Sequence, residues 1–138
     1  MLLRTIKETQ IVNAVDNYKL RKMSKEASAK NAVCYDPAQF ALSGIRDADV
    51  RPGDRVVVIG LGAIGQIALQ FAAKIGATTV IGIDPIAKRR EIAEKHGAHY
   101  TIDSMSCDAG MEIKKLTDKR VLMLLSRQAV MYMPCSPR

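Results

Sequence analysis

The stretch VVVIGLGAIGQIALQFAAKIGA, residues 56–77, decides the fold class of the chain. The apolar run at 55–60 is typical of a parallel β-strand that is covered on both faces. Apolar residues then recur at helical spacing up to Gly76, which suits the left-handed end of a helix. The helical residues expected to face the strand are Ile64, Ile67, Ala68, Phe71, Ala72 and Ile75.

The sequence after Gly76 repeats this alternation of strand and helix. Strands are expected at 78–84 and 99–103, separated by a helix that Pro85 opens and Gly97 ends. A third helix is expected farther along the chain. The residues expected to face inward are Ile86, Ile92 and Ala93 in the second helix and Ala109, Ile113 and Leu116 in the third. The alternation predicts an α/β fold, a partial Rossmann fold with three to four parallel strands in the order 3-2-1-4 and flanking helices.

The sequence before residue 55 is less regular. Asp36 and Pro37 have the residue types of a helix N-cap and a first helical position, which predicts a helix over 37–48. Residues 1–35 are polar and lack a strong period, so we interpret them as a poorly anchored, helix-leaning segment. The residues of the 37–48 helix expected to pack are Phe40, Ala41, Gly44, Ile45 and Ala48.

Three glycines at the end of the first strand, Gly60, Gly62 and Gly65, form the pattern G-x-G-x-x-G. The pattern indicates a dinucleotide-binding corner because it leads from a buried strand into a helix. Gly60 permits the tight turn, Gly62 lets a pyrophosphate approach the backbone, and Gly65 allows close packing of helix on strand. The amides of Ala63 and Ile64 are expected to point at the phosphate charge.

Asp84 ends the second strand, nineteen residues after Gly65. A carboxylate at this place can accept both ribose hydroxyls of an adenosine and would repel a 2′-phosphate, which favours NAD over NADP. Arg89, about one helical turn farther on, is a further candidate contact to the adenosine.

Simpler interpretations of these residues stay open. The glycines could form only a compact turn, and Asp84 could serve only as an N-cap before Pro85. Lys88, Arg89 and Arg90 could form only a solvated helix face. The joint spacing of the glycines and Asp84 favours the cofactor site over these alternatives.

The composition argues against several classes of function. The net charge of +7 comes from dispersed basic residues without interleaved aromatic residues, so nucleic acid is not the expected partner. No apolar run is long enough to span a membrane, and the charged N-terminus is not a signal peptide, so a cytoplasmic location is expected. The three cysteines and two histidines lack metal-ligand spacing, so no metal site is predicted and they are interpreted as free thiols and surface residues.

A longer stretch, PGDRVVVIGLGAIGQIALQFAAKIGATTVIGIDPIAKRREIAEKHGAHYTID at 52–103, resembles the nucleotide-binding domain of the medium-chain, zinc-type alcohol dehydrogenases. With weaker similarity on either side, the resemblance extends over about 36–120. It implies an oxidoreductase of the alcohol dehydrogenase type and NAD as cofactor. The site residues that it carries over are Gly60, Gly62, Ala63, Ile64, Gly65, Asp84 and Arg89.

The chain also departs from that family. Members of the family bind a catalytic zinc through an N-terminal domain, whereas no residue of this sequence matches a catalytic or metal ligand. The expectation is therefore a truncated dehydrogenase that retains weak or residual NAD binding and is not catalytic alone. The alternative is a non-catalytic module that associates with a partner dehydrogenase subunit. Whether the chain forms homo- or hetero-oligomers stays open.

The tail at 121–138 is the second departure, because the family continues there with a different fourth strand. Removing one base from a possible coding sequence of that strand yields VLMLLSRQA, which motivates the hypothesis of a single-base deletion after the Arg120 codon. We therefore expect an atypical, frameshifted tail after a partial NAD-binding domain at 36–120. Its apolar segment VLMLL could still pair as a makeshift fourth strand or could aggregate. Without a proper fourth strand, the edge of the first strand should be poorly covered and the cofactor crevice incomplete.

Overall fold

The computed structural model describes residues 11, 13, 15, 22–117, 121–125 and 129–132. About half of the segment 1–35, which is predicted to be poorly anchored and helix-leaning, lies outside the described residues. The strands are β1 Arg55–Ile59, β2 Thr79–Ile83, β3 Tyr100–Ile102, β4 Leu122–Leu125 and β5 Ala129–Tyr132. The helices are α1 Ala29–Val33, α2 Tyr35–Asp47, α3 Ala63–Ile75, α4 Ala87–Lys95 and α5 Ala109–Leu116.

The five strands form one sheet in the order β3-β2-β1-β4-β5. Strands β1 to β4 are parallel, and β5 runs antiparallel to β4. The predicted α/β class and the order 3-2-1-4 are confirmed. The central strand β1 has β2 on one side and β4 on the other, so the chain changes its direction of winding beside β1. In open α/β sheets, such a switch point is where ligands bind.

The expectation that the edge of β1 would be poorly covered was wrong. Strand β4 pairs with β1 at four positions, from Val56 opposite Leu122 to Ile59 opposite Leu125. The apolar tail pairs with β1 through backbone hydrogen bonds. Such pairing does not require the side chains that the family usually has at this strand. The additional antiparallel strand β5 was not anticipated from the sequence.

Two apolar clusters cover the two faces of the sheet. Because side chains alternate along a strand, Val56 and Val58 of β1 point to one cluster, whereas Val57 points to the other. Leu69 of α3 belongs to the first cluster and Ile113 of α5 to the second. The helices thus lie on both faces, as the continuous apolar sequence of β1 predicts.

The buried face of α3 agrees only in part with the predicted one, because Ala68 and Ala72 are buried as predicted whereas the burial of Leu69 was not predicted. The fully buried residues of this helix are Gly65, Ala68, Leu69 and Ala72. Ile64, Ile67, Phe71 and Ile75 are only half-buried. The face is rotated because Gly65 and the two alanines allow a close approach to the sheet, which leaves the larger side chains at the margin of the contact.

Three further apolar residues were wrongly expected to face inward. Phe40 of α2 is 58% exposed, and Ile86 and Ile92 beside and within α4 are 46% and 38% exposed. Helix α2 packs instead through Ala41 and Ile45, and α4 through Ala93, so both helices bury a narrow face. No helix of the described residues is long and apolar enough to cross a membrane.

Candidate functional site

The glycine corner lies at the carboxyl end of β1, at the switch point. Gly60 has a φ of +87°, a conformation that favours glycine, and its amide donates to the carbonyl of Ile83 at 2.8 Å. Gly62 is the extended N-cap of α3, and no side chain caps this helix. The amides of Ala63 and Ile64 have no acceptor within the helix because they belong to its first turn. The helix therefore presents unpaired N–H groups to an anion.

The space in front of Gly62 is open. A β-carbon built on this residue would meet nothing within 4 Å. Gly65, by contrast, is buried in α3, as the close packing of helix on strand requires. The structure thus brings together the five predicted residues of the corner, and no neighbouring heavy atom crowds the position of a β-carbon at Gly62.

The carboxylate of Asp84 is buried, with 2% of the side chain exposed. One oxygen, Oδ2, accepts from the amide of Leu61 at 2.8 Å, and the other, Oδ1, accepts from the amide of Ile86 at 2.8 Å. Asp84 is not the N-cap of α4, because that position is occupied by Ile86 and no side chain caps the helix. Its Oδ1 instead stabilises the turn before α4, and its Oδ2 braces the glycine corner.

Arg89 covers this carboxylate from the solvent side. Its Nη1 lies 3.4 Å from Oδ2 of Asp84, and its side chain is 47% exposed. Burial raises the pKa of Asp84, but the amides of Ile86 and Leu61 and the Arg89 guanidinium together bring the pKa below its ordinary value. The lowered pKa keeps the carboxylate ionised near neutral pH, with the Arg89 guanidinium beside its Oδ2.

The three basic residues at the start of α4, Lys88, Arg89 and Arg90, have different contacts. Arg90 donates from Nη1 to the carbonyl of Asp84 at 2.8 Å, and its Nη2 lies 3.1 Å from Oδ2 of Asp103. It therefore joins the ends of β2 and β3, and no sequence signal identified this role. Lys88 lies on the surface and pairs with Glu91 at 3.3 Å, as a solvated helix face would.

Gln66 also lies at this site, although the sequence did not predict a role for it. Its Nε2 donates to the carbonyl of Leu61 at 3.3 Å and to the carbonyl of Arg89 at 2.8 Å. Its Oε1 is buried and has no hydrogen-bond partner among the described residues. The sequence gives only a weak signal for this role, because Gln66, Gln70 and Lys74 follow one another at four-residue spacing as an ordinary polar helix face would.

The described residues show no arrangement suited to a metal ion. Within the described part of the chain, no three histidine, cysteine or acidic residues lie close enough together to hold one. Cys34 and Cys107 are exposed free thiols, and Cys135 lies outside the described residues. The residues described therefore do not fit the zinc site that the resemblance associates with the family.

The sheet order and the glycine corner define the class of this domain, which is a Rossmann-type α/β domain. The profile of the zinc-binding dehydrogenases matches residues 63–126. The D-guloside 3-dehydrogenase of Escherichia coli (strain K12) is 63% identical over 115 residues, which are 83% of this chain and 33% of that protein. The chain belongs to the medium-chain, zinc-type dehydrogenases and corresponds to part of their nucleotide-binding domain.

Solved structures agree with this assignment. The benzyl alcohol dehydrogenase from Acinetobacter calcoaceticus is 30% identical with a TM-score of 0.67, over 78% of this chain and 31% of that chain. A protein described as a zinc-binding dehydrogenase from Sinorhizobium meliloti 1021, bound to NADP, is 36% identical with a TM-score of 0.53, over 56% of this chain and 22% of that chain. This chain spans about one third of the length of the first curated relatives that it matches.

Proposed function

We propose that this chain binds the adenosine diphosphate part of NAD and is the cofactor-binding portion of a zinc-type dehydrogenase-like oxidoreductase. One observation carries the proposal. The uncapped start of α3 is open in front of Gly62 and lies beside the ionised carboxylate of Asp84. The amides of Ala63 and Ile64 would hold the diphosphate, and Asp84 and Arg89 would hold the adenosine ribose.

When bound, NAD supplies a nicotinamide that accepts or donates hydride. The residues of this chain would bind the other half of the cofactor and orient it at the carboxyl edge of the sheet. The S. meliloti relative holds NADP, which supports a nucleotide in the same family. Because no residue of the chain matches a zinc ligand, we propose that the 138-residue chain does not oxidise alcohols by itself.

A second candidate function is a non-catalytic module that associates with a dehydrogenase subunit. Three large apolar side chains on α1 and α2 favour it, because Val33, Tyr35 and Phe40 are 77%, 70% and 58% exposed. Size-exclusion chromatography with an intact zinc-type dehydrogenase distinguishes the candidates. A defined complex would support the module, whereas separate elution together with saturable NAD binding would support the first proposal.

Replacing Gly62 by alanine tests the cofactor site. We expect Gly62→Ala to weaken NAD binding about ten- to a hundredfold, because overpacking a close contact costs about 1–3 kcal/mol. The backbone of Gly62 is extended, and its β-carbon would meet nothing within 4 Å, so the free energy of unfolding should change little. Isothermal titration calorimetry with NAD gives the affinity, and urea unfolding gives the stability.

Gly44→Ala is the matched control for this substitution. Gly44 lies in α2, away from the corner, and its β-carbon would also meet nothing within 4 Å. The control should keep the NAD affinity of the parent chain and gain about 0.5–1 kcal/mol of stability from the higher helix propensity of alanine. Equal NAD affinities for the parent chain and Gly62→Ala would contradict the proposed site.

A further inference from the structure

Four residues around the corner form a closed ring of hydrogen bonds. The amide of Leu61 and the guanidinium of Arg89 both donate to Oδ2 of Asp84. Nε2 of Gln66 donates to the carbonyls of the same two residues, Leu61 and Arg89. Leu61 and Arg89 are therefore each held at two points, once by the carboxylate and once by the side-chain amide.

The two halves of this ring belong to different parts of the predicted cofactor site. Leu61 lies between two glycines of the phosphate corner, whereas Arg89 lies in the first turn of α4, over the ribose carboxylate. Gln66 is the residue of α3 that connects them, because both hydrogen atoms of its Nε2 are used across this gap. A movement of α4 away from the corner must break at least one of these bonds.

The unpartnered Oε1 of Gln66 supports a role beyond folding. A buried acceptor without a partner costs about 1–3 kcal/mol, which offsets what the two donated hydrogen bonds contribute to folding. Exchanging the two ends of the amide would not help, because Oε1 would then face two carbonyl oxygens. When Nε2 bonds the two carbonyls, the ring is closed, but Oε1 is left without a hydrogen-bond partner.

We propose that Gln66 is a positioning residue that fixes Arg89 relative to the glycine corner, so that the phosphate and ribose contacts are preorganised for one dinucleotide. The inference rests on the proposed function. Gln66 does not touch the cofactor in this account. It acts through the backbone of Leu61 and Arg89, and its loss should weaken binding without unfolding the domain.

Replacing Gln66 by methionine tests the inference in the full chain. Gln66→Met keeps the length of the side chain but removes both donated bonds and the unpartnered acceptor. We expect NAD to bind about tenfold more weakly, the effect of losing one to two net hydrogen bonds, while the melting temperature changes little. Gln70→Met is the matched control, because Nε2 of Gln70 bonds only the carbonyl of Gln66 within α3 and should leave the affinity unchanged.

A double-mutant cycle separates positioning from a merely structural role. If Gln66 acts through Arg89, then Gln66→Met should weaken binding little further in an Arg89→Met background. Additive effects, or a lower melting temperature with unchanged NAD affinity, would overturn the inference. Should Gln66→Met fail to fold, the side-chain amide protons of Gln66 in the unmodified chain must resist exchange and shift on addition of NAD. An exchange-exposed, unresponsive amide would equally overturn it.

The same titrations distinguish the two proposals. NAD binding by the parent chain, loss of binding in Gly62→Ala and unchanged binding in Gln66→Met would overturn the role of Gln66 alone. A parent chain that does not bind NAD would overturn the proposed function and this inference with it.

Discussion

Asp84→Ala is expected to lower the free energy of unfolding by about 3 kcal/mol and to abolish measurable NAD binding. The substitution leaves the amides of Leu61 and Ile86 without their acceptor, and Leu61 is 1% exposed, so water does not replace the lost bond. A buried donor without a partner costs about 1–3 kcal/mol. The substitution also leaves the guanidinium of Arg89 without the carboxylate charge that holds it. Urea unfolding measures the first effect and calorimetry the second.

Asp84→Asn is the control for this prediction. Asparagine keeps one acceptor oxygen in a side chain of the same shape, so it can satisfy Leu61 or Ile86 but not both. We expect a loss of stability between that of the parent chain and that of Asp84→Ala. A parent-like stability of Asp84→Ala would show that the carboxylate does not brace the corner. Because Asp84 braces the corner, Gly62→Ala is the cleaner probe of cofactor binding.

The pH dependence of unfolding provides an independent check on Asp84. Its pKa is lowered in the folded chain, so the unfolded chain binds the proton more tightly. The stabilisation is therefore fully present above the unfolded pKa of about 3.9 and is lost as the pH falls through the lower folded pKa. The difference in stability between the parent chain and Asp84→Ala should shrink over that acid range. A difference that grows on acidification would contradict the assigned contacts.

Leu69→Ala is expected to cost about 3 kcal/mol of stability. Leu69 is fully buried in the cluster between α3 and the sheet, and truncation of a buried leucine costs about 2–5 kcal/mol through lost burial and the cavity left behind. The side chain lies against the position of Gly82 in β2, where a built β-carbon would come within 3.3 Å of Leu69 Cδ1. Thermal and urea unfolding both measure the loss.

Ile67→Ala is the informative comparison for Leu69→Ala. The helical spacing predicts that Ile67 faces the sheet, but the structure leaves it half-buried and buries Leu69 instead. We expect Ile67→Ala to cost only about 1 kcal/mol, the value of a partial burial. A larger cost for Ile67 than for Leu69 would mean that α3 presents the other face to the sheet.

The sequence predicts most of the fold and the composition of the site. The apolar run of β1, the glycine pattern and the β-branched β2 follow from local chemistry, and they place Gly62 and Asp84 at one edge of the sheet. The burial of Ala68 and Ala72 follows from the helical spacing, but the burial of Leu69 in place of Ile64 and Ile67 was not predictable from that spacing alone. Helical spacing counts apolar residues, whereas packing also selects small ones.

The contacts around the Asp84 carboxylate could not be predicted from the sequence. Asp84 lies 23 residues from Leu61, and Gln66 lies 23 residues from Arg89. Such bonds depend on how closely α4 approaches the corner, which no local pattern encodes. The deletion hypothesis for 121–138 likewise remains a prediction, since the pairing of β4 with β1 is compatible with an apolar tail of any origin. Resequencing the gene across the Arg120 codon tests it.

The most direct test of the central claim is the amide spectrum of the isotopically labelled chain during titration with NAD. We expect saturable shifts at the amides of Gly62, Ala63 and Ile64 and smaller ones at Asp84 and Arg89, with little change on the far edge at β3. The diphosphate of NAD would cause the shifts at Gly62, Ala63 and Ile64, and its adenosine ribose would cause those at Asp84 and Arg89. No saturable shifts at the start of α3, or shifts confined to other surfaces, would contradict the claim that this corner binds a dinucleotide.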